Sequence, residues 1–368
     1  MTTQPETPAP PGGDAPARPS GRPVGFIGLG RMGLSLARSL TRKGFAPLVN
    51  DLAPGPMQSL AAEGAAPVAD AGALAARCGI VFLMLPGPAE VRAVALTPGG
   101  VFDRAAPGTV IVDLSTVDVA TADLLAAEAA ARGLRFADAP VGRLAAHADR
   151  CESLFMLGAD DDLVPLLAPC LGAMGTTTLH CGPAGHGTRM KLVNNFMVLS
   201  YCQINSEALV LTRALGLDLP RALEVLLGTT AVNGQLRDKW PVKVLAGDLS
   251  PGFAMALALK DLTLACEAAA RGGVAVPMGN TARDMFRLAI TAGRPRASSA
   301  AASDFHSASV KRSGRVGPSG STSRDGSAAM AWVSRASSSG PASTISRAAS
   351  SSSGPKRSMA RPWRGSAK

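Results

Sequence analysis

Lys191 is followed one helical turn later by two amides, in the run Gly185-His-Gly-Thr-Arg-Met-Lys191-Leu-Val-Asn194-Asn195. Reducing a carbonyl by hydride transfer needs a proton donor at the developing alkoxide, and the reverse reaction needs a base in the same place. A lysine serves when burial or neighbouring charge lowers its pKa. On a helix Asn194 and Asn195 share its side, placed to orient the ammonium or to hydrogen-bond a substrate. By spacing alone, the same three residues also describe a solvated lysine beside two surface amides. Both readings stand at this level.

A hydride needs a carrier, and the other end of the chain has a place for one. Val24-Gly-Phe-Ile-Gly28-Leu29-Gly30-Arg31-Met32-Gly33 starts as a short apolar run, breaks at glycines and continues as a helical pattern. In Gly28-x-Gly30-x-x-Gly33 the first glycine allows a tight turn, the second lets a pyrophosphate approach the backbone, and the third lets helix and strand pack closely. The helix start offers free N–H groups and partial positive charge to phosphates. A second strand, Ala46-Pro-Leu-Val-Asn50-Asp51, ends in an acid where a carboxylate binds the adenosine ribose. That carboxylate repels a 2′-phosphate, and Leu52 follows where a phosphate site favours arginine. NAD is therefore expected rather than NADP, although Asn50 suits either.

These residues need elements to hold them. From Val24 onward apolar runs alternate with helical patterns, which predicts a parallel sheet with crossover helices. Strands are expected over 24–28, 46–51, 80–85, 109–113, 134–138, 153–157 and 176–180, with helices including 31–43, 55–63, 70–77 and 117–132. Several strands are continuous apolar runs, the pattern of burial on both faces. After Gly187 the alternation stops. Met190, Val193, Met197, Tyr201, Ile204, Ala208, Leu211 and Leu215 recur every three or four residues, predicting one long amphipathic helix ended by Gly216. Further helical segments are expected near 219–227, 253–271 and 278–292. The fold class expected is α/β: a Rossmann-type doubly wound parallel sheet domain (24–183), then an all-α domain (184–294) on a long interdomain helix.

The net charge of +10 belongs to one end of the chain. Residues 295–368 carry twelve Lys/Arg against two Asp, with twenty-two serines and no leucine, glutamate or cysteine, while the remainder is neutral. Such a segment buries too little apolar surface to offset its ordering entropy, so disorder is expected there and in the Pro/Ala/Gly-rich leader 1–23. Two accounts of the tail stand: a shifted coding frame, or a genuine basic tail that binds nucleic acid or anionic surfaces. Six scattered cysteines form no C-x-x-C pair and read as reduced, packed thiols. No His/Cys/Asp/Glu cluster has metal spacing. Neither a signal-peptide pattern nor a bilayer-spanning apolar run is present, so a soluble cytoplasmic protein is expected. Two function classes fit these features: a nicotinamide-dependent enzyme, or a non-catalytic dinucleotide-binding module with a basic tail.

Four ordered motifs narrow the choice. Gly25-Phe-Ile-Gly-Leu-Gly-Arg-Met-Gly33, Asp113-Leu-Ser-Thr116, Asp138-Ala-Pro-Val141 and the Gly185–Asn195 run together resemble the β-hydroxyacid dehydrogenase family. The resemblance covers roughly residues 24–294, with Lys260-Asp261-Leu262 as a further match. It implies hydride transfer between NAD and a small anionic hydroxyacid or aldehyde, with Lys191 as general acid/base, in a homo-oligomer. It also implies that Ser115 and Thr116 face the nicotinamide and the substrate's anionic end. Leu85-Pro86 would lie along the cofactor, and Lys260 would reach it from the helical domain. Read alone, Ser115 and Thr116 also suit helix N-capping, and Lys260 an exposed helix charge.

The informative departure is Gly142-Arg143-Leu144, where most of the family has Ser-Gly-Gly after Asp-Ala-Pro-Val. A guanidinium offers a planar fork of donors, suited to a larger or tetrahedral anion. Pro-Val-Gly-Arg resembles the sulfolactaldehyde reductase branch, which also reduces succinic semialdehyde. Thr229-Thr230-Ala231-x-Asn233-Gly234 and Trp240-Pro-x-Lys243-Val-Leu-x-Gly247-Asp-Leu-Ser-Pro251 look like that branch too. Val198 departs from it, standing where a serine is expected. Without the resemblance, Arg143 is a loop arginine pairing with Asp149 or Glu152.

Overall fold

The alternating apolar runs form one twisted sheet in the computed structural model, which describes residues 21–246 and 253–292. The expected tail, nearly all of the expected leader and the Gly247–Pro251 end of the Trp240 motif lie outside the described residues. The strands are β1 (Val24–Ile27), β2 (Leu48–Asn50), β3 (Ala66–Pro67), β4 (Ile80–Leu83), β5 (Val110–Asp113), β6 (Arg135–Asp138), β7 (Val141–Gly142), β8 (Ser153–Gly158) and β9 (Gly175–Gly182). Between them run α1 (Arg31–Arg42), α2 (Pro54–Ala61), α3 (Ala71–Ala75), α4 (Pro88–Leu96), α5 (Val101–Arg104), α6 (Val119–Ala131), α7 (Ala145–Ala148) and α8 (Leu163–Met174).

Strand order is β3-β2-β1-β4-β5-β6, all parallel, which is the doubly wound arrangement. The order reverses between β1 and β4, and open parallel sheets bind ligands in the crevice beyond that point. β1, β4 and β5 are buried along their whole length, as their unbroken apolar runs demand. Phe26, Phe82 and Val112 enter one core with Leu36 and Leu40 of α1. Ile27, Leu83 and Ile111 enter the core on the opposite face with Leu125 of α6.

Past β6 the sheet changes direction. β8 pairs antiparallel with β6 and β7, and β9 then pairs parallel with β8. Only ten residues separate β7 from β8, too few for the crossover a parallel neighbour needs. The two-residue strands β3 and β7 are too short for periodicity to mark.

The helical part consists of α9 (His186–Ala214), α10 (Leu219–Gly228), a π-helical turn Gln235–Lys239, α11 (Met255–Arg271) and α12 (Pro277–Thr291). Leu199 and Cys202 of α9, Met255 and Leu262 of α11 and Phe286 of α12 share a core. Periodicity predicts α9 correctly but not which face it buries. Met190, Val193, Met197, Ile204 and Leu211, the stripe that makes the helix amphipathic, are exposed. The inward face carries Leu192, Asn195, Leu199, Cys202, Gln203, Asn205, Ser206 and Leu209 instead. Polar side chains point in because they bond there: Asn205 pairs reciprocally with Asn233, and Asn195 reaches Asp261.

Candidate active site

The turn from β1 to α1 has the shape that a dinucleotide needs. Gly28 has φ +92°, and a Cβ there would collide with the Met84 carbonyl. A Cβ on Gly33 would strike the Gly28 carbonyl, so strand and helix meet only if both residues are glycine. A Cβ on Gly30 would meet nothing within 4 Å. Steric need explains Gly28 and Gly33 but not Gly30, whose bareness opens the backbone to an incoming group. Leu29 is buried, Met32 is half-buried against the core, and Arg31 is exposed at the helix start. No acidic side chain occupies the first turn of α1.

Asp51 lies at the end of β2 beside this turn. Its carboxylate accepts hydrogen bonds from Leu29 N–H (2.5 Å) and Ala53 N–H (2.7 Å), fixing it at the mouth of the crevice. Asn50 is buried, and its amide donates to the Val68 carbonyl at 2.8 Å. One of its two N–H donors is thus spent on the sheet edge. The residues present fit a nicotinamide dinucleotide: a bare glycine edge, a helix start and a carboxylate at the adjoining strand end.

Lys191 is on the second turn of α9. Its half-buried ammonium donates to the Val141 carbonyl at 2.7 Å. Burial pushes the ammonium below its usual 10.5, Asp261 pulls it back up, and Lys260 pushes it down. The two amides behave differently from a surface pair. Asn195 is buried and donates to Asp261 Oδ2 at 2.7 Å, and Asn194 donates to Asn195 Oδ1 at 3.0 Å. The row therefore ties α9 to α11, with Asn195 holding Asp261 and Asn194 holding Asn195.

Lys260, expected to reach the cofactor, extends from α11 to the segments at the end of the sheet. Its ammonium donates to the carbonyls of Thr116 (2.8 Å) and Pro86 (3.0 Å), joining the segments that leave β5 and β4. It also pairs with Asp261 Oδ1 at 3.0 Å. Lys191, Asp261 and Lys260 thus form a buried run of alternating charge between the helices and the crevice.

Ser115 departs from expectation. It is 1% exposed, and its hydroxyl accepts a hydrogen bond from Leu85 N–H at 2.9 Å. It ties the end of β5 to the end of β4 instead of facing an open site. It is not an N-cap either, because Asp118 caps α6 by accepting from Thr121 N–H. Thr116, next to it, is half-buried at the Lys260 contact. Arg143 has a left-handed backbone (φ +69°), and its guanidinium donates to the Glu152 carbonyl at 2.6 Å. Glu152 is thus its partner, through the backbone carbonyl, while the Glu152 carboxylate is taken by Arg150. Gly142 sits between Arg143 and the carbonyl that holds Lys191.

Two carboxylates matter more than their place in a motif suggests. Asp138, at the end of β6, accepts from Gly185 N–H (2.5 Å) with one oxygen and from Thr188 N–H with the other. Those amides open α9, so Asp138 caps the helix that carries Lys191. The approach depends on two glycines: a Cβ on Gly187 would strike the Met156 carbonyl, and one on Gly158 would strike Asp138. Burial pushes the Asp138 carboxyl up. On the neighbouring strand end Asp113 is pushed up to about 6, chiefly by burial, against hydrogen bonds from Ser115. An acid at a strand end, followed far along the chain by Gly-x-Gly-Thr at a helix start, is the one signal that foretells this cap.

Comparison with known proteins covers the same ground. The family model described as the NAD binding domain of 6-phosphogluconate dehydrogenase matches residues 23–182. The one described as NAD-binding of NADP-dependent 3-hydroxyisobutyrate dehydrogenase matches residues 185–305. The chain is 36% identical over 273 residues to 3-sulfolactaldehyde reductase of Escherichia coli (strain K12), covering 74% of this chain and 92% of that one. It is 34% identical over 264 residues to 2-(hydroxymethyl)glutarate dehydrogenase of Eubacterium barkeri, covering 72% and 87%. A solved structure of Mycobacterium tuberculosis 3-hydroxyisobutyrate dehydrogenase with L-serine superposes with a TM-score of 0.72 at 30% identity, covering 77% of this chain and 98% of that one.

Proposed function

Because the chain belongs to the β-hydroxyacid dehydrogenase family and is thereby an NAD(P)-dependent oxidoreductase, we propose that it interconverts a small anionic semialdehyde and its hydroxyacid. The observation that carries this reading is the Lys191 ammonium, desolvated and aimed by the Val141 carbonyl. Gly28–Gly33, Asp51 and Leu85-Pro86 would hold a nicotinamide dinucleotide, which would supply or accept the hydride. Lys191 gives its proton to the carbonyl oxygen during reduction, and as a neutral amine takes it back during oxidation. Its lowered pKa makes that proton easier to release. Asn195 and Asp261 keep the ammonium's surroundings fixed, and Asp261 balances its charge.

Gly142 and Arg143 directly follow in sequence the carbonyl that aims Lys191, and the Arg143 guanidinium, which donates to the Glu152 carbonyl, would have to turn from it to meet a substrate. Arg143 is assigned the anionic end, with Thr116 bordering the site from the β5 side. Likeness to 3-sulfolactaldehyde reductase supports a sulfonate or carboxylate there. NAD is preferred over NADP because Asp51 faces the ribose position and Leu52, fully exposed, adds no cation for a 2′-phosphate.

The test is oxidation of NADH against sulfolactaldehyde, succinic semialdehyde, methylmalonate semialdehyde and tartronate semialdehyde, repeated with NADPH. Turnover of one of the first two, faster with NADH, is expected. Binding of NADH without turnover of any of the four contradicts the substrate class.

A further inference from the structure

The ten residues between β7 and β8 leave the sheet as a loop, and this loop carries Arg143. Both of its ends are strained. Arg143 (φ +69°) and Cys151 (φ +57°) are two of the three non-glycine residues with left-handed backbone among the described residues. Such conformations persist only where surrounding contacts over-determine them, and they gather at clamps and binding segments. Here the contacts come from the helix that begins at the dinucleotide turn. Ser35 and Ser39 stand one turn apart on the buried side of α1. Ser35 Oγ donates to Asp149 Oδ1 at 2.5 Å, and Ser39 Oγ accepts from Cys151 Sγ at 3.3 Å. Ala148, beside Asp149, is fully buried and shares a core with Leu36 and Leu40 of the same helix.

The base of the loop is closed by its own arginine. Arg143 donates to the Glu152 carbonyl, nine residues on, and that bond has to open before the guanidinium meets a substrate anion. Once it opens, α1 holds the loop through Asp149 on Ser35 and Cys151 on Ser39. Val141 is independent of this, because it and Gly142 are paired with Phe155 and Leu154 of β8. The aim of Lys191 and the placing of Arg143 are therefore set by separate contacts.

We propose, resting on the assignment of the substrate's anionic end to Arg143, that Asp149 is a positioning residue. Through Ser35 it latches the Arg143 loop to α1, so the helix whose start receives the dinucleotide also sets the cation that meets the anion. NADH at the start of α1 then steadies the loop, since a rigid helix carries order from one contact to the other.

Removing the latch strands nothing buried. Asp149 is exposed, and Ser35 Oγ has the Arg31 carbonyl at 3.2 Å as a second acceptor, so Asp149→Ala and Ser35→Ala should fold. Hydrogen exchange of amides 144–152 in the full chain reads the latch without any aldehyde. Saturating NADH should slow that exchange about fivefold or more in the unmodified protein, the lower end of couplings between sites. The slowing should vanish in both alanine variants, with NADH binding retained, and persist in Asp149→Asn, which keeps the acceptor. In turnover of the fastest of the four aldehydes, Asp149→Ala should raise KM about tenfold with kcat within about twofold, the loss of one charged hydrogen bond. It should add nothing where Arg143 is already alanine. No slowing in the unmodified protein, or equal slowing in the alanine variants, overturns the latch. An unchanged KM in Asp149→Ala where Arg143→Ala raises it, or an effect that survives in Arg143→Ala, overturns the positioning role. Should Arg143→Ala itself leave KM unchanged, the assignment of the anionic end fails instead, and hydrogen exchange still decides the latch.

Discussion

Replacing Asp138 tests whether the capped start of α9 positions Lys191, the proposed proton donor. Asp138 is 1% exposed, and each of its carboxylate oxygens accepts one amide that opens the helix. Alanine leaves two buried donors without partners, each costing about 1–3 kcal/mol, or roughly 2–6 kcal/mol together. Relief of the buried charge, whose pKa is raised, returns part of that cost, so a net loss of about 2–4 kcal/mol is expected. For a domain of this size that lowers Tm by roughly 5–15 °C. Asparagine keeps one acceptor and turns an NH2 toward the second amide, so Asp138→Asn should fall between alanine and the natural residue. The kinetic signature is separate. The Asp138–Val141 segment also holds the Lys191 ammonium, so a helix start released by about 1 Å should cut kcat by roughly 100-fold. The affinity for NADH, whose cradle lies across the sheet at Gly28–Gly33, should change less than twofold. Thermal melts, stopped-flow turnover and NADH fluorescence titration read these three quantities. A Tm within 2 °C of the unmodified protein, or equal losses in kcat and NADH affinity, refutes the reasoning.

Other perturbations have equally definite outcomes. Asp113 has a folded pKa of about 6 against an ordinary 3.8, so the folded state holds its proton more tightly and stability is lost as pH rises between those values. Asp113→Asn should therefore gain up to about 3 kcal/mol relative to the unmodified protein at pH 8 compared with pH 4, measured by urea denaturation. Asp261 holds the Lys191 pKa up, so Asp261→Asn should move the alkaline limb of the reduction profile to lower pH; an unmoved limb contradicts that charge coupling. Arg143→Ala should raise KM for the aldehyde about 10- to 100-fold with kcat nearly constant, the loss of one charged hydrogen bond. Arg143→Gly, which suits the left-handed backbone, should do the same if the side chain rather than local strain is responsible.

Much of the fold was legible because its signals are local. β1, β4 and β5 are buried on both faces and read as unbroken apolar runs, and Gly28-x-Gly30-x-x-Gly33 states its own steric reason. Lys191 and Lys260 emerged from motif context, and both ammonium groups are held by backbone carbonyls at the ends of the sheet. What stayed hidden is tertiary. Ser115 looks free in the sequence, but its hydroxyl is claimed by Leu85 N–H, thirty residues earlier. Asp138 and the α9 start are forty-seven residues apart at their closest bond, and periodicity does not connect them. The outward turn of the α9 stripe escaped for a different reason. A hydrophobic row reveals that a helix buries one face, but not whether that face meets its own chain or another.

The most direct test of the central claim is single-turnover reduction by Lys191→Ala in the presence of saturating NADH and the best aldehyde substrate. The account predicts NADH binding within twofold of the unmodified protein and a reduction rate lowered by about 10²- to 10⁴-fold, the range a proton donor contributes. It also predicts that the alkaline limb of the pH profile disappears with the lysine. A variant that reduces the aldehyde at an unchanged rate, or keeps the same pH limb, would show that another group handles the proton.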